Sequence, residues 1–479
     1  MYLGLDLGTS GLKAIVIDDA QSVVAETSAP LSVSRPHDGW SEQAPADWIA
    51  AAEHVFDALA TSADLGAIRA IGLSGQMHGA TVLDESDAVL RPAILWNDTR
   101  SAVEAAEMDA APEWRAISGN IVFPGFTAPK LKWMQRHERD LFDRVRKVLL
   151  PKDYLRLWLS GDYASDMSDS AGTSWLDTGA RDWSDELLEL TGLDRSHMPA
   201  LVEGSAPSGT VRPELATRWG LRRDVVVAGG GGDNASSAVG VGVVSTGQAF
   251  VSLGTSGVLF AANDGYAPDP ETAVHTFCHA LPGKWHQMGV ILAATDALNW
   301  FAGLVGSEAK TLTSGLGPLA APDKTLFLPY LGGERTPLND ANIRGAFIGL
   351  EHSVDQVQAT QAVLEGVTFA LRDCRDALAA TGTGIDSLLA VGGGSRSAYW
   401  LSALATALDL AIDVPVAGDF GGAFGAARLA MMAATGGGME IATRPRIERT
   451  IEPDTTLTGA FDDAHARYTL AQRAIRGLT

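Results

Sequence analysis

The sequence predicts an α/β protein made of two related domains that face each other across a cleft, and three observations carry that expectation. The chain has 479 residues, more than a single hydrophobic core commonly supports. Short apolar runs alternate along it with helical stretches, as in α/β architectures. The pentapeptide Leu7-Gly8-Thr9-Ser10-Gly11 recurs word for word as Leu253-Gly254-Thr255-Ser256-Gly257, each copy lying between two apolar runs. Such repetition exposes a duplicated architecture, although coincidence is the competing reading in a chain with 52 glycines.

In chain order, residues 2–5 and 12–17 flank the first turn and read as a β-hairpin. A helical pattern covers 45–60, and an apolar run over 67–73 ends in Ser74-Gly75-Gln76-Met77-His78-Gly79. Residues 224–228 form a buried-strand run that Gly229-Gly230-Gly231-Gly232-Asp233-Asn234 breaks. Residues 248–253 enter the second turn and 258–260 leave it. Residues 234–263 carry no charged side chain, but polar residues and glycine interrupt the stretch too often for a bilayer span. Buried strands and a helix under a cleft are expected there. An amphipathic helix follows at 354–380, then a strand at 387–391, the turn Gly392-Gly393-Gly394-Ser395, and a helix after Gly422 that Gly436-Gly437-Gly438 ends. The tail to Thr479 reads as a peripheral segment. The boundary falls within 235–247, giving domains 1–240 and 241–479.

Composition narrows the function. Apolar residues make up 46% and charged residues 20%, an ordinary globular balance. With 36 Lys plus Arg against 58 Asp plus Glu, the net charge of −22 repels nucleic acid and anionic membranes. An anionic substrate must then meet a bound cation, backbone N–H groups and a few placed Lys or Arg. Cys278 and Cys374 stand far apart without metal-ligand spacing, which fits a reducing compartment. Residues 1–6 lack the features of a signal peptide, so the cytoplasm is the expected location.

The candidate chemistry sits at the turns. Successive backbone N–H groups and the hydroxyls of Thr9, Ser10 and Thr255, with Gly254, can ring phosphate oxygens. Either turn alone is weak evidence, but two facing each other suggest a polyphosphate clamp. Asp6, two residues before the first turn, suits Mg²⁺ held partly through water, or else caps the turn. Lys13 offers a compact positive charge to the transferring group, or is simply a solvated lysine. Asp233, after four glycines at a strand end, suits a base that accepts the proton of an attacking hydroxyl, and equally suits helix capping. Gly392, Gly393, Gly394 and Ser395 would lie against a nucleoside. Gln76, Met77 and His78 combine groups suited to a small polyhydroxylated ligand. Trp96, Asn97, Asp98 and Arg100 are a second polar cluster with an aromatic plate, or a surface turn.

These motifs resemble those of the FGGY carbohydrate kinases over essentially the whole chain. The matching stretches are 4–11, 75–81, 91–98, 125–131, 149–154, 230–235, 253–257 and 332–337. The resemblance implies two actin-like, RNase H-like domains with ATP and a sugar in the cleft. On it, Asp233 is the base and, with Asn234, Gln76, Met77, His78 and Trp96, contacts the sugar. Asp6 and Asp233 lie at Mg²⁺. Thr9, Ser10, Lys13, Gly254 and Thr255 surround the phosphates, and Gly392 to Ser395 reach the nucleoside. The motif over 75–79 points to D-xylulose, phosphorylated to its 5-phosphate, and dimers are common in such families. Ribulose, another pentulose or a polyol is the alternative substrate. A non-catalytic actin-like ATPase or sugar sensor is the alternative class, against which stands the lack of a basic DNA-binding extension. Near the signature that begins at Gly345, Ala359 stands where the family carries a larger aliphatic residue.

Overall fold

The computed structural model describes residues 1–416, 418 and 420–478. In the N-terminal half, β1 (Tyr2–Leu7), β2 (Gly11–Ile17) and β3 (Val23–Pro30) form an antiparallel meander. The next strands are β4 (Ala70–Gly75), β5 (Pro207–Thr210) and β6 (Val226–Ala228). Strand β4 runs parallel to β1, β6 parallel to β4, and β5 closes the edge antiparallel, so the order is β5-β6-β4-β1-β2-β3.

The C-terminal sheet contains β7 (Gly247–Leu253), β8 (Gly257–Asn263), β9 (His275–Cys278), β10 (Trp285–Ile291), β11 (Ile385–Val391), β12 (Ile412–Pro415) and β13 (Ile447–Ile451). Its order is β9-β10-β8-β7-β11-β12-β13. Apart from the extra edge strand β9, the two sheets share one plan. An antiparallel meander leads into a parallel centre, and an antiparallel strand closes it. The repeated pentapeptide joins the first two strands of each sheet, so the repetition is architectural.

The helices that matter below are α1 (Pro45–Leu59), α2 (Pro151–Ser160), α3 (Asp233–Val241), α4 (Thr295–Leu304), α5 (Gln356–Ala380), α6 (Ala398–Leu408), α7 (Gly422–Thr435) and α8 (Thr458–Arg476). Helix α1 starts on Pro45 and buries Trp48, Ala51, Ala52, Val55, Phe56 and Leu59, one stripe at helical spacing. Helix α5 begins with a reciprocal cap between Asp355 and Gln358 and runs through the C-terminal core. Ala359 is only partly buried against that core.

Helix α7 departs from the order of the chain. It comes from the C-terminal half yet lies across β1 and β4 of the N-terminal sheet and crosses α3. Glycines make the approach feasible. A Cβ on Gly4 would stand 1.8 Å from the Ala423 carbonyl oxygen, and one on Gly72 would stand 1.9 Å from that of Ala426. The tail is not peripheral, contrary to expectation. Strand β13 closes the sheet, α8 buries Phe461, Ala464 and Tyr468 completely, and the Tyr330 and Tyr468 hydroxyls lie 2.7 Å apart. The uncharged stretch 234–263 becomes α3, β7 and β8. Among the described residues no helix is long and apolar enough to cross a membrane.

Candidate active site

Three strands deliver the acidic centre. Asp6 near the end of β1 sits opposite Lys13 on β2 and level with Ser74 on β4, whose hydroxyl donates to Asp6 Oδ1 at 2.8 Å. Burial raises the Asp6 carboxyl above its ordinary range, against the opposing pull of Ser74 and Lys13. Lys13 pairs with Glu26 at 3.5 Å. Gly231 and Gly232 pair with the end of β4 and deliver Asp233 as the first residue of α3. Asp233 is therefore inside the helix, and Gly232 occupies the cap. Its Oδ1 accepts from the Asn234 N–H at 2.7 Å and the Asn234 side-chain amide at 2.9 Å. Burial, and then the charge of Asp6, push the Asp233 carboxyl up to about 6.

An ionic cluster supports this strand end from behind. The Gly232 N–H donates to Ser168 Oγ at 3.1 Å, and Ser168 donates to Asp166. Asp166 meets Lys152 Nζ of α2 at 2.8 Å, and the same ammonium reaches Asp153 at 2.6 Å and Asp169 at 3.2 Å. All four side chains are fully buried. This gives a place to residues 149–154, a stretch to which sequence reasoning assigned no role.

Beside Asp233 lies a polar and aromatic cluster. A Cβ on Gly232 would stand 2.9 Å from Met77 Sδ, and one on Gly172 would stand 2.5 Å from the His78 ring and 2.9 Å from Met77 Cε. His78 has a left-handed backbone, φ 68°, a costly state of the kind that persists where surrounding structure enforces it. Its carbonyl accepts from Lys130 Nζ at 2.7 Å and Thr127 Oγ1 at 3.1 Å. The ring stacks on Phe126 with centroids 4.5 Å apart. Nδ1 lies 2.6 Å from the Gly172 carbonyl oxygen, so Nδ1 carries the proton and Nε2 is left as an acceptor. Burial lowers the imidazole to about 3, so it is neutral at physiological pH. Phe123, His275, Phe277 and Arg335 complete the cluster, the last three contributed by the C-terminal half. None of these four, nor Phe126, was singled out from the sequence. Phe126 and Arg335 stand in matched stretches, which were the available signal.

A cavity of about 970 Å³ opens between the halves. Lys13, Asn234 and Ser237 line it from one side, and Gly392, Gly393, Ser395 and Arg396 from the other. Gly394 does not face it: a Cβ there would stand 2.7 Å from Leu253 and 2.8 Å from Trp400, so its small size serves packing. The two pentapeptide turns stand outside the lining. The Gly254 and Thr255 carbonyls accept from the N–H groups that open α4, at 2.9 and 2.8 Å for Thr295 and Ala294. Thr9 Oγ1 donates to Gln76 Oε1 at 2.8 Å and accepts from the Trp96 indole at 2.9 Å. Gln76 also donates to Gln43 at 2.9 Å. Gln76 and Trp96 thus brace the first turn, while Trp96 keeps 45% of its surface exposed. Ser10 is exposed on that turn. Asp98 and Arg100 form a buried ion pair at 2.7 Å with Arg100 over Trp40, a scaffold and not a ligand surface.

Among the described residues no group of three or more His, Cys, Asp or Glu side chains is arranged to hold a metal. Asp6 and Asp233 offer two hard carboxylates, close enough that the charge of Asp6 raises Asp233. That set fits Mg²⁺, which keeps most of its waters and completes its shell with substrate phosphates.

Comparison with known proteins follows the same division of the chain. Residues 1–240 match the FGGY family of carbohydrate kinases, N-terminal domain, and residues 249–434 match its C-terminal domain. The chain is 49% identical over 466 residues to the xylulose kinase of Escherichia coli (strain K12), covering 96% of each protein. It is 50% identical over 442 residues to that of Klebsiella pneumoniae, covering 90% of each. The crystal structure of a xyloylose kinase from Brucella ovis superposes with a TM-score of 0.99 at 62% identity over 100% of both chains. That of xylulose kinase from Rhodospirillum rubrum gives 0.93 at 28% identity, covering 100% of this chain and 99% of the other.

Proposed function

Since the chain belongs to the FGGY family of carbohydrate kinases, we propose that it phosphorylates D-xylulose at O5 with ATP, using Asp233 as general base. The observation that carries the substrate is the likeness to xylulose kinases over nearly the whole chain. In this reading O5 attacks the γ-phosphorus, the bond from that phosphorus to the β,γ-bridging oxygen breaks, ADP leaves, and Asp233 takes the O5 proton. A carboxyl held near 6 is mostly ionised at neutral pH and still basic enough to accept it. Met77 and His78 hold the sugar, with His78 Nε2 accepting from a hydroxyl.

Thr9, Ser10, Lys13, Gly254 and Thr255 receive the phosphates, and Asn234, bonded to Asp233 and lining the cavity, contacts the sugar. Gly392, Gly393 and Ser395 receive the nucleoside in the cavity. Gln76 and Trp96 act by holding Thr9. Asp6 and Asp233 would hold Mg²⁺, which when bound neutralises charge building on the phosphoryl oxygens. We place the reaction in the cytoplasm; both cysteines are free and buried, which suits a reducing compartment.

A coupled assay of ADP release across D-xylulose, D-ribulose, ribitol and arabitol tests the reading. D-Xylulose should give the highest kcat/KM, and NMR of the product should show phosphorus coupled to C5. A preference of about tenfold for another sugar, roughly 1.4 kcal/mol, would transfer the assignment to that sugar.

A further inference from the structure

The stretch 332–337 matches the family, but the mechanism above leaves it without a role. At its centre is a guanidinium in unusual surroundings. Arg335 lies over the Phe123 ring at 4.7 Å, and its Nη1 stands 3.5 Å from His275 Nε2. Among the described residues no carboxylate lies within ion-pairing distance of it. Its neighbour Glu334 turns instead to the backbone N–H groups of Leu292 at 2.9 Å and Arg335 at 2.8 Å, and burial pushes that carboxyl up to about 8. A largely buried cation without a counter-charge is costly unless something else occupies its donors.

Contacts order the cluster outward from the base. Gly232, next to Asp233, meets Met77; His78 follows and stacks on Phe126; Phe126 meets Phe123 at 5.5 Å; and Arg335 covers Phe123. Phe126, His275 and Phe277 are buried, whereas His78, Phe123 and Arg335 keep part of their surface open. A ketopentose with its phosphorylated end at Asp233 and its middle at His78 brings its C1–C2 end to Arg335. That end is an α-hydroxyketone with two adjacent oxygens, a match for two parallel N–H donors of a guanidinium.

We propose, resting on the substrate reading above, that Arg335 determines specificity by donating to the C1 hydroxyl and C2 ketone oxygens of the sugar. It is the C-terminal half's own hold on the sugar. The neutral imidazoles of His78 and His275 cannot replace a charged fork, and a polyol offers it no ketone.

The test compares D-xylulose with 1-deoxy-D-xylulose in wild type, Arg335→Leu and Arg335→Lys. Wild type should lose tenfold or more in kcat/KM on the deoxy sugar. Arg335→Leu should lose tenfold or more on D-xylulose, show little further loss on the deoxy sugar, and keep its KM for ATP. Losses that multiply, so that the variant discriminates as strongly as wild type, would overturn the proposal. If the leucine variant does not fold, Arg335→Lys carries the same reading, with a reduced discrimination ratio expected and an unchanged one overturning it. A wild type that prefers another ketopentose defeats only the choice of D-xylulose, and the ratio is then read on that ketose and its 1-deoxy form. One that prefers a polyol defeats both.

Discussion

In the proposed mechanism Asp233 serves two opposed demands, and its titration separates them. As a base it must be ionised, so kcat/KM for the sugar should fall as pH drops through about 6. Replacing it by Asn should lower kcat about 10²- to 10⁴-fold with the KM for ATP retained; near-normal turnover would remove it from the mechanism. The same shift predicts a gain in stability. Its folded pKa lies above the unfolded value of 3.8, so the stability it contributes is complete below 3.8 and is lost as pH rises through about 6. At neutral pH the ionised group burdens the fold, and Asp233→Asn relieves that by up to about 3 kcal/mol. Thermal unfolding at pH 7.5 and pH 5.5 should show the larger gain at pH 7.5. The placement of Asp6, His78 and Asp233 at strand ends was legible because glycines punctuate those ends. Trp96 and Gln76, expected to contact the sugar, both bond Thr9 in the structure. Each sits at a strand end like the others, but their partner Thr9 is remote in sequence. Phe123, His275 and Arg335 converge from three separate segments, and no local spacing signals that.

At the level of elements, the crossing of α3 and α7 is the tightest joint between the halves. A Cβ on Gly425 would lie 1.7 Å from the Ser236 carbonyl oxygen, and one on Gly240 would lie 2.1 Å from that of Phe420. Backbone cannot yield there as a flexible side chain would, so Gly425→Ala must separate the helices. Helix α3 begins with Asp233, so the displacement reaches that carboxylate. The expected cost is about 2–3 kcal/mol with a large loss of kcat. Gly303→Ala on α4 is the control: nothing lies within 4 Å of its Cβ, and the change should be neutral or stabilise by about 0.5–1 kcal/mol. Chemical denaturation and turnover of the two variants make the comparison; a Gly425→Ala protein as stable and active as the control would contradict the crossing. The hairpins and long helices were readable because their periodicity is local. The crossing was not, since a glycine in a helix looks the same whether it meets solvent or another backbone. The tail was readable and was misread: Phe461, Ala464 and Tyr468 recur at i, i+3 and i+7, the spacing of a buried helix face.

For the whole molecule, the duplicated sheet plan was legible from one repeated pentapeptide, because each copy stands between two apolar runs that pair as a hairpin. What no repeat conveys is how each half completes the other's site. The N-terminal half supplies Asp6, His78 and Asp233, whereas Arg335, His275 and the Gly392 turn come from the C-terminal half. The 970 Å³ cavity takes its lining from both. In the proposed mechanism, a site lined by both halves is completed, and water excluded from the γ-phosphate, when the sugar draws the halves together. ATP hydrolysis without sugar should therefore be far slower than sugar phosphorylation. Small-angle scattering should show compaction when D-xylulose and a non-hydrolysable nucleotide are added together, more than with nucleotide alone. A scattering profile that saturating sugar and nucleotide leave unchanged, or ATP hydrolysis without sugar as fast as transfer, would mean that the site is already assembled and that sugar acts only as a nucleophile.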